Sequence, residues 1–233
     1  MNDITKTPRV FTELSLSEGL GIFLEDSAHH YLKNVMRGTE GDVVRLFNGR
    51  DGEFSVRLEK LTKKAIEATV EKKLRAQKNP SRKIHLLFAP IKKERMDFLI
   101  EKAVELGATD LHPVLTQNTD MRKIKEDRIQ AQIIEAAEQC ERMDIPTLHA
   151  MDDLFKKLQA WELPVFAALE RHDAKRLQHT DNDCAILIGP SGGFTDSEKQ
   201  KLSGMKDITP VSLGDNILRS ETAVVAALSL VSL

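Results

Sequence analysis

Cysteine is scarce in this chain, long apolar runs are missing, and neither sign of charge dominates. Each absence removes a class of protein. Two cysteines, Cys140 and Cys184, in 233 residues are too few for a disulfide framework or a cysteine-rich zinc site. No apolar stretch approaches the roughly 20 residues a spanning helix needs, so no membrane partner is expected. The opening MNDITKTPRVF has no apolar signal core, and a cytoplasmic location is expected. With 34 Lys and Arg against 36 Asp and Glu, the net charge is −2 and the isoelectric point near 6.4. Bulk charge therefore gives no support to a nucleic-acid partner. The seven histidines form no H-E-x-x-H and no Cys/His cluster with zinc spacing, so no metal is expected. There is no G-x-S-x-G nucleophile elbow, no G-x-G-x-x-G dinucleotide fingerprint and no P-loop. Internal repeats and low-complexity tracts are absent too.

What is present is an ordinary globular composition, 41% hydrophobic and 30% charged, within the range of folded soluble domains. The charge is uneven. Residues 1–80 hold 14 Lys and Arg against 12 Asp and Glu, and residues 151–233 hold 9 against 12. Val43–Phe47, Phe54–Leu58 and Ala65–Val70 read as strands, the first two separated by the Asn48–Gly52 turn cluster. Asp26–Arg37 reads as a short helix before them. From Ile84 the rhythm changes to short apolar strands alternating with helices, the pattern of a parallel sheet covered on both faces. Three domain ranges follow: a small β-rich unit over 1–72, a polar, basic linker over 73–83, and an α/β unit over 84–233. The last helix, Ser220–Val231, has one charge, Glu221, and is apolar nearly all round. It must be packed inside the protein or against a partner, and a homodimer interface would serve.

Four segments could carry chemistry. Leu187–Phe194 is a strand entering a Gly-Pro-Ser-Gly-Gly loop ahead of the capping box Thr195-Asp196-Ser197-Glu198. Glycines there allow a close backbone approach to a ligand. Ser212–Thr222 follows another strand and carries Gly214 and Arg219. Both loops lie beyond the carboxyl ends of strands, where α/β sheets bind ligands. The third segment is a helix with Glu135, Glu138, Gln139 and Arg142 on one face. The fourth joins Pro8-Arg9-Val10-Phe11 with His29, His30 and Arg37. On the residues alone, each of these could equally be a turn, a helix cap or a solvated face.

Taken in order, the segments resemble the RsmE family of 16S ribosomal RNA uracil-N3 methyltransferases, in the SPOUT superfamily. The motifs are Pro8–Phe11; His30–Arg37 with Gly41-Asp42; Lys92–Met96 and Glu101–Gly107; Glu138-Gln139, Arg142 and Pro146; Ile188–Phe194, similar to "IGPEGGF"; and Leu213–Thr222, similar to "LG…ILRTETA". The resemblance covers nearly the whole chain. It implies a PUA-like β-barrel RNA-binding domain over 1–72 and a trefoil-knotted SPOUT methyltransferase domain over 84–233. A knot is a rare topology that periodicity alone would not suggest.

The resemblance further implies S-adenosylmethionine as cofactor, held by Leu169, Gly189, Gly193, Leu213, Gly214, Ile217, Leu218 and Arg219, mostly through backbone groups. It implies catalytic roles for Arg219 and Arg142 in stabilising the uracil anion and for Glu138 as a base. RNA contacts fall to Arg9, His30, Lys33 and Arg37. The implied partners are 16S rRNA in the 30S subunit and a second copy of the chain. Two positions depart from the family: Ser191 stands where Glu is usual, and Asn216 where a basic residue is common. Competing readings are another SPOUT RNA methyltransferase, acting on a ribose 2′-hydroxyl or another base, and a non-catalytic RNA-binding assembly factor.

Overall fold

The computed structural model describes residues 7–169 and 174–232. Its contacts divide the chain into two compact units: Met1–Asn79 with Ala137–Ile145, and Pro80–Ala136 with Pro146–Leu233.

The first unit is a five-stranded sheet in the order β1-β3-β4-β5-β2. Its strands are β1 (Arg9–Phe11), β2 (Gly21–Leu24), β3 (Val43–Phe47), β4 (Glu53–Leu61) and β5 (Ile66–Arg75). β1 pairs parallel with β3, and the other pairs are antiparallel. Alternating apolar residues such as Val44, Leu46, Val56, Leu58, Ile66, Ala68 and Val70 face one core, sealed by Leu24 and Leu32. The expected helix at 26–37 is shorter and irregular: α1 (Asp26–His30) runs into a π-helical turn at Tyr31–Val35. Met36 N–H donates to the Tyr31 carbonyl, and Arg37 takes a left-handed φ of 55°, which ends the helix. β5 extends to Arg75, so the first stretch of the expected linker is strand.

A buried charge cluster lies within this unit. The Glu53 carboxylate, 2% exposed, meets Arg9 Nε at 2.6 Å and Arg45 Nη1 at 3.4 Å, with Arg75 Nη2 at 2.5 Å. Burial pushes the Glu53 carboxyl up, but hydrogen bonds and charge from Arg75 and Arg9 outweigh it and hold the group below the ordinary carboxylate range. The Arg9 guanidinium lies 3.6 Å over the Phe47 ring and donates to the carbonyls of Ala137 (2.8 Å) and Arg142 (2.7 Å). It is the clip that fastens segment 137–145 to β1.

The second unit is a parallel sheet in the order β12-β10-β11-β6-β7-β8, with the short β9 also on β7. The strands are β6 (Ile84–Phe88), β7 (Asp110–Leu115), β8 (Thr147–Leu148), β9 (Asp152–Asp153), β10 (Val165–Ala168), β11 (Cys184–Ile188) and β12 (Ile208–Val211). β6 and β11 are almost wholly buried, as central parallel strands are. The helices are α2 (Lys93–Glu105), α3 (Glu126–Gln139), α4 (Leu154–Gln159), α5 (Asp196–Ser203) and α6 (Ser220–Ser232). α2 stops at Gly107, whose φ of 91° suits a helix C-terminus. α5 opens on the capping box expected from its sequence: Thr195 Oγ1 accepts from Glu198 N, and Glu198 accepts from Thr195 N.

α6 buries Ala223, Val224, Ala227, Leu228 and Val231 and leaves Val225, Ala226 and Leu230 half-buried. Arg82 Nη2 donates to the Val231 carbonyl at 2.7 Å, satisfying a backbone acceptor that the helix end leaves open.

Candidate active site

The carboxyl ends of β10, β11 and β12 converge on a cavity of about 400 Å³. Each strand contributes through the loop that follows it. From β10 come Ala168 and Leu169; from β11, Gly189, Pro190, Gly193 and Phe194; from β12, the run Ser212–Leu218. The start of α6 closes the floor with Ser220 and Ala223.

Backbone conformation builds this wall. A Cβ at Gly189 would lie 2.8 Å from the Phe194 ring, so only glycine lets that ring fold over the loop. Gly214 has φ 138°, which an L side chain rarely adopts. Ser220 Oγ donates to the Gly189 carbonyl at 3.0 Å, tying α6 to the loop after β11. Ser212 Oγ donates to the Gly214 carbonyl at 3.2 Å.

The segment after β7 braces the glycine-rich loop from outside. Asn118 Nδ2 donates to the Gly193 carbonyl at 3.0 Å, and Gln117 N donates to the buried Glu198 at 2.9 Å. Ser191 Oγ donates to Asp120 Oδ2 at 2.9 Å. At the position where the family pattern has a glutamate, this chain therefore presents a hydroxyl bound to a neighbouring carboxylate.

Of the residues expected around the cofactor, Leu169, Gly189, Gly193, Leu213, Gly214, Ile217 and Leu218 line this one cavity. Arg219 follows directly, exposed, with its carbonyl accepting from Ala223 N at 2.7 Å in the first turn of α6. Sequence reasoning did not single out Pro190, Phe194, Ser212 and Ser220 as lining residues. A signal was present in Gly189 and Phe194, five positions apart, with an aromatic ring closing onto a glycine.

The remaining expected residues lie in the first unit. Glu138 Oε1 accepts from Phe11 N at 2.8 Å, and Arg142 pairs with Asp144 at 2.6 Å. Arg9, expected at an RNA surface, is instead 6% exposed and engaged by Glu53 and three carbonyls. Its charge was legible in the sequence, but the partner that takes it inside, Glu53, is far away in the chain. His30 and Arg37 are exposed, and Lys33 Nζ donates to the Thr62 carbonyl.

A second polar cluster occupies the amino-terminal half of the sheet, on β6 and β7. His85 Nδ1 and His112 Nε2 are 3.0 Å apart, and His149 Nε2 lies 2.8 Å from Asp110 Oδ1. His112 stacks on His149 with ring centroids at 3.9 Å, and Trp161 packs edge-on to His85 and His112. Ligating atoms of His85, Asp110 and His112 lie within 4.8 Å of one another. Burial holds the His112 imidazole down at about 3 and also lowers His85, so both rings are neutral at pH 7. Two neutral rings can share one N–H···N bond, which is the geometry seen.

A parallel sheet whose carboxyl ends carry a glycine-built cavity closed by α6, and a small five-stranded β unit, fit the SPOUT-type methyltransferase domain and the PUA-like domain that the family resemblance implies. Comparison with known proteins gives the family. Residues 77–232 match the model of an RNA methyltransferase domain, and residues 24–71 match an RNA methyltransferase PUA domain. The chain is 32% identical to ribosomal RNA small subunit methyltransferase E of Rickettsia conorii, over 98% of this chain and 96% of that one. Among solved structures, it is similar to a methyltransferase of Legionella pneumophila in complex with bound SAM, with 30% identity, TM-score 0.87 and 96% of each chain covered. It is also similar to ribosomal RNA small subunit methyltransferase E of Neisseria gonorrhoeae bound to S-adenosyl methionine, with 29% identity, TM-score 0.86, and 96% and 95% covered. The chain belongs to the ribosomal RNA small subunit methyltransferase E family.

Proposed function

We propose that this protein transfers a methyl group from S-adenosylmethionine to N3 of one uridine of 16S rRNA in the small ribosomal subunit, acting in the cytoplasm as a homodimer. The observation that carries the reading is the glycine-walled cavity at the ends of β10, β11 and β12. Its volume, about 400 Å³, lies in the range of cofactor sites. Its Gly189 and Gly214 backbones leave room that side chains would fill. The SAM-bound Legionella and Neisseria relatives support the same occupant.

When bound, S-adenosylmethionine supplies a methyl group on a positively charged sulfur, an electrophile strong enough to need no metal. The chain's own task is to hold it and to prepare the nucleophile. Leu169, Leu213, Ile217 and Leu218 offer apolar contact and exposed backbone, with Gly189, Gly193 and Gly214 permitting close approach. Uracil N3 carries a proton at neutral pH and must lose it before its lone pair can form the new N–C bond. A cation beside the base stabilises the resulting anion. Arg219, exposed at the mouth of the cavity loop, is the first candidate. Arg142 and Glu138 are the second pair, as a further cation and a base. His30, Lys33 and Arg37 are proposed RNA contacts of the PUA-like domain. The half-buried strip Val225, Ala226 and Leu230 on α6 supports the homodimer, since it offers apolar surface to a second copy.

The test uses labelled S-adenosylmethionine and 30S particles lacking the methyl group. Arg219→Ala is expected to lower kcat by roughly a hundredfold or more, the usual effect of removing a group that stabilises developing charge. Glu138→Gln is expected to lower it less. Full activity in both variants would remove these residues from the mechanism. A label recovered on a ribose hydroxyl would favour the 2′-O alternative.

A further inference from the structure

A second cavity of about 440 Å³ opens past the end of β6. Its floor is apolar, with Ile91 (0% exposed), Met96 (6%) and Ile129 (5%) buried beneath it. Met121, Ile124 and Gln132 form a side. The rim is cationic: Lys93, Lys123 and Lys125 are exposed, and Arg128 pairs with Asp97, the one carboxylate among the lining residues.

Backbone hydrogen bonds join the segments that line the two cavities. The second cavity begins where β6 ends, and Ala89 N donates to the Ile188 carbonyl, the residue before Gly189, at 3.2 Å. Met121 N donates to the Pro90 carbonyl at 3.3 Å. The same short segment, through Asn118 and Asp120, holds Gly193 and Ser191. One loop therefore shapes the edges of both cavities.

We infer that this second cavity is a nucleotide subsite, receiving one unstacked base of the substrate RNA strand while its lysines hold the flanking phosphates. The inference rests on the RNA-methylating function proposed above. A base has apolar faces and polar edges. An apolar slot with two methionines accepts the faces through dispersion and sulfur–aromatic contact, and the Gln132 amide can both donate to and accept from an edge. Three lysines beside a neutral Arg128–Asp97 pair complement a polyanion. Single-stranded RNA sites combine these same two elements, a platform for bases and a cationic track for the backbone. An apolar peptide would gain nothing from the lysines.

The test is direct binding of a short fluorescein-labelled oligouridylate to the full chain, measured by anisotropy across a salt series. Lys123→Ala/Lys125→Ala is expected to weaken binding about tenfold and to make the slope of log K against log salt shallower by about 1.4, from roughly 0.7 per phosphate contact on a single strand. Ile124→Trp, which fills the slot, should weaken binding without changing the slope. Affinity for S-adenosylmethionine, measured by calorimetry, should be unchanged in both. Unchanged oligouridylate affinity in both variants overturns the inference, as does failure of the unmodified chain to bind the probe. A change in sedimentation mass instead would make the cavity an interface between copies and also overturn it. If the unmodified chain binds the probe and the variants lose it, yet no methyl transfer to any ribosomal RNA occurs, the subsite stands and the proposed reaction falls.

Discussion

The two ends of the parallel sheet are both polar, but they are built from opposite materials. At the carboxyl ends of β10, β11 and β12, the cavity wall is backbone, glycine and aliphatic side chain. In the amino-terminal half, β6 and β7 carry His85, Asp110 and His112, packed beneath Trp161. The amino-terminal cluster has the side chains usually associated with chemistry, yet its imidazoles are paired, buried and neutral. The carboxyl-terminal site has almost no such side chains and has the room. A methyl donor brings its own reactivity, so the protein needs shape and backbone groups there more than acids and bases. A search for catalytic side chains alone would choose the amino-terminal end of the sheet.

Three changes would break or sharpen this contrast. The largest effect is expected at the carboxyl end. Gly214→Ala places a Cβ on a backbone at φ 138°. A strained residue of this kind costs about 1–3 kcal/mol, so S-adenosylmethionine affinity should fall roughly ten- to a hundredfold by calorimetry. Thermal stability should change little if the loop relaxes locally. Unchanged affinity would mean that this loop does not shape the site.

A smaller effect, of a different kind, is expected at the amino end. The folded His112 ring resists protonation, with its pKa near 3 against an ordinary 6.5. Between those values the unfolded chain binds the proton and the folded chain does not. Stability should therefore fall as pH drops through 6.5 towards 3, with a slope of up to about 1.4 kcal/mol per pH unit from this group. His112→Gln should flatten that slope in urea melts at successive pH values while leaving S-adenosylmethionine affinity intact. An equal pH slope in the variant would mean that other groups set it.

The smallest effect is expected at Ser191. Its bond to Asp120 is exposed, and exposed substitutions usually fall within about 0.5 kcal/mol. Ser191→Ala should keep methyl-transfer activity within about twofold. A large loss would show that the Ser191–Asp120 pair has taken over the role of the family's glutamate.

Much of this was legible in the sequence, for physical reasons. The continuous run Ile84–Phe88 marks a doubly covered strand, whereas Phe54–Leu58 alternates as a half-exposed strand does and yet has Ser55 buried with Phe54, Val56 and Leu58, and Arg57 only partly exposed. The Thr195–Glu198 capping box marks a helix start to the residue. The loops around Gly189 and Gly214 were placed beyond strand ends because glycine there follows an apolar run. Other features were not legible. β1 and β2 are three and four residues long, too short for periodicity to register. The helix at residue 26 breaks into a π turn through backbone conformations at Tyr31–Arg37 that carry no compositional mark. Arg9 looks like a surface cation until Glu53, 44 positions on, folds against it. The histidine cluster gathers residues from three separate stretches of chain, and only strand register brings them together.

The most direct measurement is to map the modified nucleotide. Unmethylated 30S particles incubated with this protein and labelled S-adenosylmethionine, then digested and analysed by mass spectrometry, should carry one new methyl group on N3 of a single 16S rRNA uridine. A methyl group on a ribose hydroxyl or another base, or no transfer while S-adenosylmethionine still binds, would contradict the account.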